Sequence, residues 1–187
     1  ITYPRNITYI TAITALNYTV SDANLQACWY STNSGVTNTT ITCGNNATGL
    51  TASEGSNIWK VYANDTAGNA TLTASVTFFV DTVLPTINYT TGTENNGEFS
   101  DTLNIFINVT VNNASDQDKI VFTLYNSSSL VNSTTFNDTT RTINFTNLAN
   151  NNYTYNVTVN DTAGNSASTS SRTIRLISSC LSLSSCS

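Results

Sequence analysis

The sequence predicts an all-β chain folded as two antiparallel β-sandwiches in tandem. Three observations carry that prediction. First, a nine-residue segment occurs twice: Val61-Tyr-Ala-Asn-Asp-Thr-Ala-Gly-Asn69 returns as Val157-Thr-Val-Asn-Asp-Thr-Ala-Gly-Asn165, an offset of 96 residues. Second, β-branched and aromatic residues gather in short runs broken by Asn-Gly, Ala-Gly-Asn and Asn-Ser-Gly, the punctuation of strands and turns. Third, no segment keeps a helical apolar period over a dozen residues.

An offset of this size matches one immunoglobulin-like sandwich, so the 187 residues divide into two such domains. Val80-Asp-Thr-Val-Leu-Pro85, where a strand runs out into a proline, places the boundary near residue 83. The expected organisation is a sandwich over 1–83, a second over 84–178, and a cysteine-containing tail over 179–187.

In the first half, the expected strands are Ala15 to Val20, Gln26 to Ser31, Thr39 to Cys43, Ile58 to Asn64 and Ser75 to Val80. In the second they are Leu103 to Val111, Ile120 to Tyr125, Arg141 to Thr146, Tyr153 to Asn160 and Arg172 to Ile177. Superposing the repeats sorts the faces, because side chains alternate with period two. Trp59, Val61 and Ala63 match Tyr155, Val157 and Val159 and point inward. Lys60 and Tyr62 match Asn156 and Thr158 and point outward. The shared Asn-Asp-Thr-Ala-Gly-Asn ends one strand and begins the next. Asp65 and Asp161 cap backbone N–H groups as Asx-turns do, and Gly68 and Gly164 supply positive φ. A metal-binding loop is the alternative for this segment.

Only 9% of residues are charged, there is no histidine, and the net charge is −5. No basic patch exists, so nucleic acid is excluded as a partner class. No run of 18 or more apolar residues occurs, so no helical membrane span is expected. The polar surface is instead built from 28 Asn, 35 Thr and 22 Ser. Such a surface is hydrated but nearly uncharged, and attached glycans would supply the missing solubility.

Sixteen N-x-S/T triplets occur: Asn6, Asn17, Asn38, Asn46, Asn64, Asn69, Asn88, Asn108, Asn113, Asn126, Asn132, Asn137, Asn144, Asn152, Asn156 and Asn160. Random placement of the same residues would give roughly half as many. Strand alternation writes some of them, since outward Asn, inward apolar and outward Thr spell N-x-T. It accounts for Asn17, Asn108, Asn144, Asn152 and Asn156, but not for loop cases such as Asn46, Asn113, Asn126, Asn132 and Asn137. N-linked glycosylation is therefore expected, with adjacent sites on one strand competing.

Four cysteines suit an oxidising compartment and permit three pairings. Cys28 and Cys43 fall on neighbouring strands of the first domain, and a bridge is expected there. Cys180 and Cys186 follow the last strand. They either close a small tail loop or link to a neighbouring molecule. Trp29, beside Cys28, is expected in the core. Lys60, facing outward, is unsuited to an isopeptide cross-link.

Catalysis is not expected. The chain has no histidine base and no G-x-S-x-G, P-loop or dinucleotide fingerprint, and Asp116 and Asp118 read as solvated loop residues. Asp81, in the linker, is the one candidate metal ligand, for calcium held between the domains with help from Glu94, Glu98 or Asp101. No other cofactor is implied.

At Leu16-Asn-Tyr-Thr-Val-Ser-Asp22, Cys28-Trp-Tyr-Ser31, Val61 to Asn69 and Phe79-Val-Asp-Thr82 with Pro85, the chain resembles the tandem Ig-like repeats of prokaryotic, especially archaeal, cell-surface proteins. The resemblance covers most of residues 10 to 85; the second half matches mainly at Val157 to Asn165. It implies a surface role as spacer, stalk, surface-layer part or filament subunit, and in some bacterial relatives calcium near an Asp like Asp81. The expectation is a non-enzymatic structural subunit of a glycosylated extracellular filament or surface layer. It would pair with copies of itself through sandwich edges or terminal strands, with Ile1 to Ile10 and Leu176 to Ser187 as suspected segments. The alternative is a set of spacer repeats from a larger cell-surface adhesin, whose partners are neighbouring repeats.

Overall fold

A computed structural model of the chain describes residues 1–112, 116–137 and 139–178, with the side chains of 71–73 left aside. Asn113, Cys180 and Cys186 lie outside the described residues. The chain forms two compact units, Ile1–Val83 and Leu84–Ser187. Both are all-β sandwiches.

Unit 1 contains β1 (Thr8–Tyr9), β2 (Ala15–Leu16), β3 (Leu25–Ser31), β4 (Thr39–Ile41), β5 (Ala47–Thr48), β6 (Gly55–Asp65) and β7 (Ala70–Val80). One sheet has the order β1-β7-β6-β3-β4, and β2 pairs with β5 in the other. The inward residues of β6 and β7, Trp59, Val61, Phe78 and Val80, meet Ile13, Leu16, Tyr18 and Ala47. Trp59 and Phe78 pack edge to face, with centroids 5.1 Å apart. Each large side chain so buried contributes about 1.5–3 kcal/mol.

Unit 2 contains β8 (Thr86–Tyr89), β9 (Glu98–Ser100), β10 (Ile105–Asn112), β11 (Gln117–Asn126), β12 (Leu130–Phe136), β13 (Thr142–Phe145), β14 (Asn151–Asp161), β15 (Ser166–Ser168) and β16 (Arg172–Leu176). The sheets run β13-β10-β8 and β12-β11-β14-β16-β9, with β15 also on β14. Ile105, Ile107 and Val109 of β10 pack into one cluster with alternate residues of β11, β14 and β16.

Two findings refine the sequence reading. The chain entering each unit is split between its two sheets. In unit 1, Tyr3 bridges Asn17 before β1 joins β7 in parallel. In unit 2, β8 joins β10 before β9 joins β16 in parallel. Such changes of sheet need a bend in the strand. The second finding is a shared brace at the start of the long central strand. Tyr153 Oη donates to the Ala149 carbonyl at 3.0 Å. At the equivalent place Asn57 Nδ2 donates to the Ser53 carbonyl at 2.7 Å, and its Oδ1 accepts the Ser53 N–H at 3.1 Å. Both braces reach back four residues, as the tyrosine corner of sandwich domains does.

Candidate functional site

The repeated turn folds alike in both units. Asp65 Oδ1 accepts the Ala67 and Asn69 N–H groups at 2.9 and 2.8 Å, and Asn69 Nδ2 donates to Oδ2 at 2.9 Å. Asp161 Oδ1 accepts the Gly164 and Asn165 N–H groups, each at 2.8 Å, and Asn165 Nδ2 donates to Oδ2 at 2.9 Å. Gly68 and Gly164 sit at φ 82° and 102°. The Asn69 side chain, then its backbone N–H, holds the Asp65 carboxyl below the ordinary carboxylate range. The two copies differ in burial: Asp161 is 3% exposed, whereas the Asp65 bonds lie at the surface.

The face assignments set where glycans can attach. Trp59, Val61, Ala63, Tyr155, Val157 and Val159 are all buried. None of the fifteen described sequon asparagines is buried. Asn64, Asn88, Asn108, Asn126, Asn132, Asn144, Asn152, Asn156 and Asn160 stand on strands, and Asn6, Asn17, Asn38, Asn46, Asn69 and Asn137 between them.

Cys28 and Cys43 are joined, with Cα atoms 5.1 Å apart. The bridge ties β3 to the residues just past its neighbour β4, where Cys28 stands opposite Ile41. Trp29 departs from expectation. The core indole is Trp59; Trp29 lies on the outer side of the sheet, half-buried, stacked on Tyr62 with centroids 5.7 Å apart and planes 10° apart. The alternation set by buried Cys28 sends its neighbour Trp29 outward. Lys60 also faces outward, donating from Nζ to the Ser34 carbonyl at 2.9 Å.

Asp81 Oδ1 accepts the Val83 N–H at 3.1 Å, as a turn residue does. Of the carboxylates considered with it, Glu94 and Glu98 line an open groove of unit 2 with Tyr89, Thr93 and Arg172. The Arg172 guanidinium lies over the Tyr89 ring, 4.2 Å from its centroid, and donates to the Glu94 carbonyl at 2.8 Å. Burial and then Glu98 raise the Glu94 carboxyl, while Asn95 lowers that of Glu98. Tyr155 Oη donates to the same Glu94 carbonyl. Asp116, read as solvated, instead brings a carboxylate oxygen within 4.8 Å of one from Asp161. Nothing in the sequence signalled this pair, because β11 and β14 bring it together from 45 positions apart.

Sheet edges are the remaining candidate surfaces. β12 borders the large sheet of unit 2 and reads Leu130-Val-Asn-Ser-Thr-Thr-Phe136, with no charge and no proline. Leu130 and Val131 are exposed on it. β9 forms the opposite edge, with Phe99 exposed and the Arg175 guanidinium 5.8 Å from its ring centroid. The first ten residues are engaged within unit 1. Thr2 N–H donates to the Asn17 carbonyl, Tyr3 meets Tyr9 edge to face, and Tyr9 meets Phe78. No helix among the described residues is long and apolar enough to cross a membrane.

No protein-family model matches the chain, and no curated protein matches it in sequence. Its fold is nevertheless found in solved structures. The fibronectin(III)-like modules of Clostridium thermocellum CbhA align with 96% of this chain and 94% of their own, at a TM-score of 0.50 and 16% identity. The FN1-FN3 domains of chicken CNTN1 align over 95% of this chain and 69% of theirs, at a TM-score of 0.40 and 13% identity. The chain is thus similar in fold to the fibronectin(III)-like modules of CbhA.

Proposed function

We propose that the chain is a non-enzymatic structural subunit of a glycosylated extracellular filament or surface layer, assembling through open sandwich edges. The β12 edge carries this reading. A sandwich that must stay monomeric blunts its edges with lysine, proline or a bulge; β12 has neither lysine nor proline along seven residues, and although its register slips by one residue at Val131, it presents Leu130 and Val131 to solvent and runs regularly from Asn132 to Phe136. Its unpaired backbone groups can take a strand from another copy. The Cys28–Cys43 bridge and this fold are typical of extracellular proteins, and the uncharged Asn/Thr/Ser surface with its outward sequons supports a glycan coat.

The competing reading, spacer repeats of a larger cell-surface adhesin, draws support from the N-terminal segment. Its hydrogen bonds are already made within unit 1, so it is not free to enter a neighbour without first leaving its own sheet. The test is sedimentation of the secreted, glycosylated protein beside Leu130→Lys/Val131→Lys and a variant lacking residues 179–187. Assembly lost in the lysine variant, with its circular dichroism unchanged, supports edge pairing. Unchanged polymers in the lysine variant remove β12 from the mechanism, and loss only on tail deletion moves the contact to the tail. A monomer at every concentration favours the spacer.

A further inference from the structure

Sequons differ in what surrounds them, and one is set beside a paired aromatic surface. Asn64 lies two residues past Tyr62 on β6, with buried Ala63 between them, so both face outward about 6.7 Å apart along the strand. Tyr62 stands opposite Trp29 on β3, and the two rings are stacked. The partners of Asn64 across the sheet are small, Ala27 on β3 and Ala70 on β7. Trp29 is diagonal to Asn64, about 7–8 Å away. Asn64 thus shares the outer face with two alanines across the sheet and with the Tyr62–Trp29 pair one row along. Asn64 Nδ2 donates to Gln26 Oε1 at 3.0 Å, and an N-linked amide keeps one N–H for that bond. The Tyr62 hydroxyl lies beside Gly35, where a methyl would come within 2.8 Å of it.

We propose that a glycan on Asn64 folds back onto the outer face of unit 1, its first pyranose resting on the Tyr62–Trp29 pair. One face of a pyranose presents polarised C–H bonds, which suit the negative face of an aromatic ring. The attachment confines the sugar to the neighbourhood of the rings, so stacking costs little further entropy. The Phe106–Asn108 pair on β10 has the same spacing. However, no second ring is stacked on Phe106 among the described residues. This inference rests on the glycoprotein reading above and adds to it which glycan is structural.

The experiment uses the full chain secreted from a host that attaches N-glycans, with site occupancy read by mass spectrometry. Thermal unfolding of unit 1 is followed by tryptophan fluorescence in wild type, Asn64→Gln, Tyr62→Leu and the double variant. Wild type should carry a glycan at Asn64. Asn64→Gln should lower the unit 1 transition by about 4 °C or more and raise acrylamide quenching about twofold, the change falling on Trp29 because Trp59 is buried. In the Tyr62→Leu background the same substitution should shift nothing. An equal shift in both backgrounds overturns the stacking, as does unchanged quenching in wild type on Asn64→Gln, a measurement that needs no Tyr62 variant. A bare Asn64 with glycan on Asn144 overturns this inference alone. No glycan on any sequon overturns the reading beneath it as well.

Discussion

The duplicated turn offers a comparison of one hydrogen-bond set in two environments. Asp161→Ala removes three acceptor contacts, at 2.8, 2.8 and 2.9 Å, from a side chain only 3% exposed. Each bond to a charged acceptor contributes about 1.5–3 kcal/mol, and a buried donor left unpaired incurs its full desolvation cost. The contributions overlap, so the expected loss is about 3–5 kcal/mol, a large part of the stability of one such unit. With a urea slope of about 2 kcal/mol/M, the midpoint of unit 2 falls by about 2 M. Asp65→Ala removes the matching contacts at the surface, where water replaces the carboxylate, and its effect should be far smaller. Both tryptophans, Trp29 and Trp59, belong to unit 1. Fluorescence therefore follows unit 1 alone, and far-ultraviolet circular dichroism follows both units. Asp161→Ala should move the dichroism transition and leave the fluorescence transition in place. Equal losses in the two variants would refute the argument that burial sets the strength of this turn.

Three further outcomes are expected. Replacing Cys28 and Cys43 by serine opens a loop of 15 residues and should cost unit 1 about 3 kcal/mol, read as an earlier fluorescence midpoint in urea. Asn57→Ala removes the buried brace to Ser53 and should cost about 1–3 kcal/mol, more than Tyr153→Phe, which deletes a single hydroxyl bond. Burial, opposed by Arg172, pushes the Tyr155 hydroxyl up to about 12. Its unfolded value is about 10. The raised value means the neutral phenol is favoured in the folded state, so its contribution is complete below pH 10 and lost as pH climbs through 12. Unit 2 should show an alkaline transition by circular dichroism that Tyr155→Phe removes.

Much of this architecture is legible in the sequence because period-two alternation and a repeated turn are local signals. The inward Trp59, Val61 and Ala63, their counterparts at Tyr155, Val157 and Val159, and the Asp–Gly geometry of both turns follow from neighbours in the chain. The misses are non-local or short. β1, β5, β8, β9 and β15 have two to four residues, too few to show a period. β12 is longer, but both its faces are largely exposed, so no apolar alternation marks it. The strand expected over Ala15 to Val20 shortens to Ala15–Leu16, with Asn17 turned to bridge Tyr3. Trp29, expected in the core, stands on the outer side of its sheet. Its neighbour Cys28, whose sulfur is buried in the bridge, decides the face instead. The Asp116–Asp161 approach and the Asn57 brace depend on strand pairing and loop closure that spacing does not encode.

Electron microscopy of native material purified from its source, without refolding, tests the central claim most directly. The account predicts filaments or sheets with a repeat matching one two-sandwich subunit, carrying N-glycans and losing order when β12 is charged. Separate single molecules at high concentration would contradict it and make the chain a spacer.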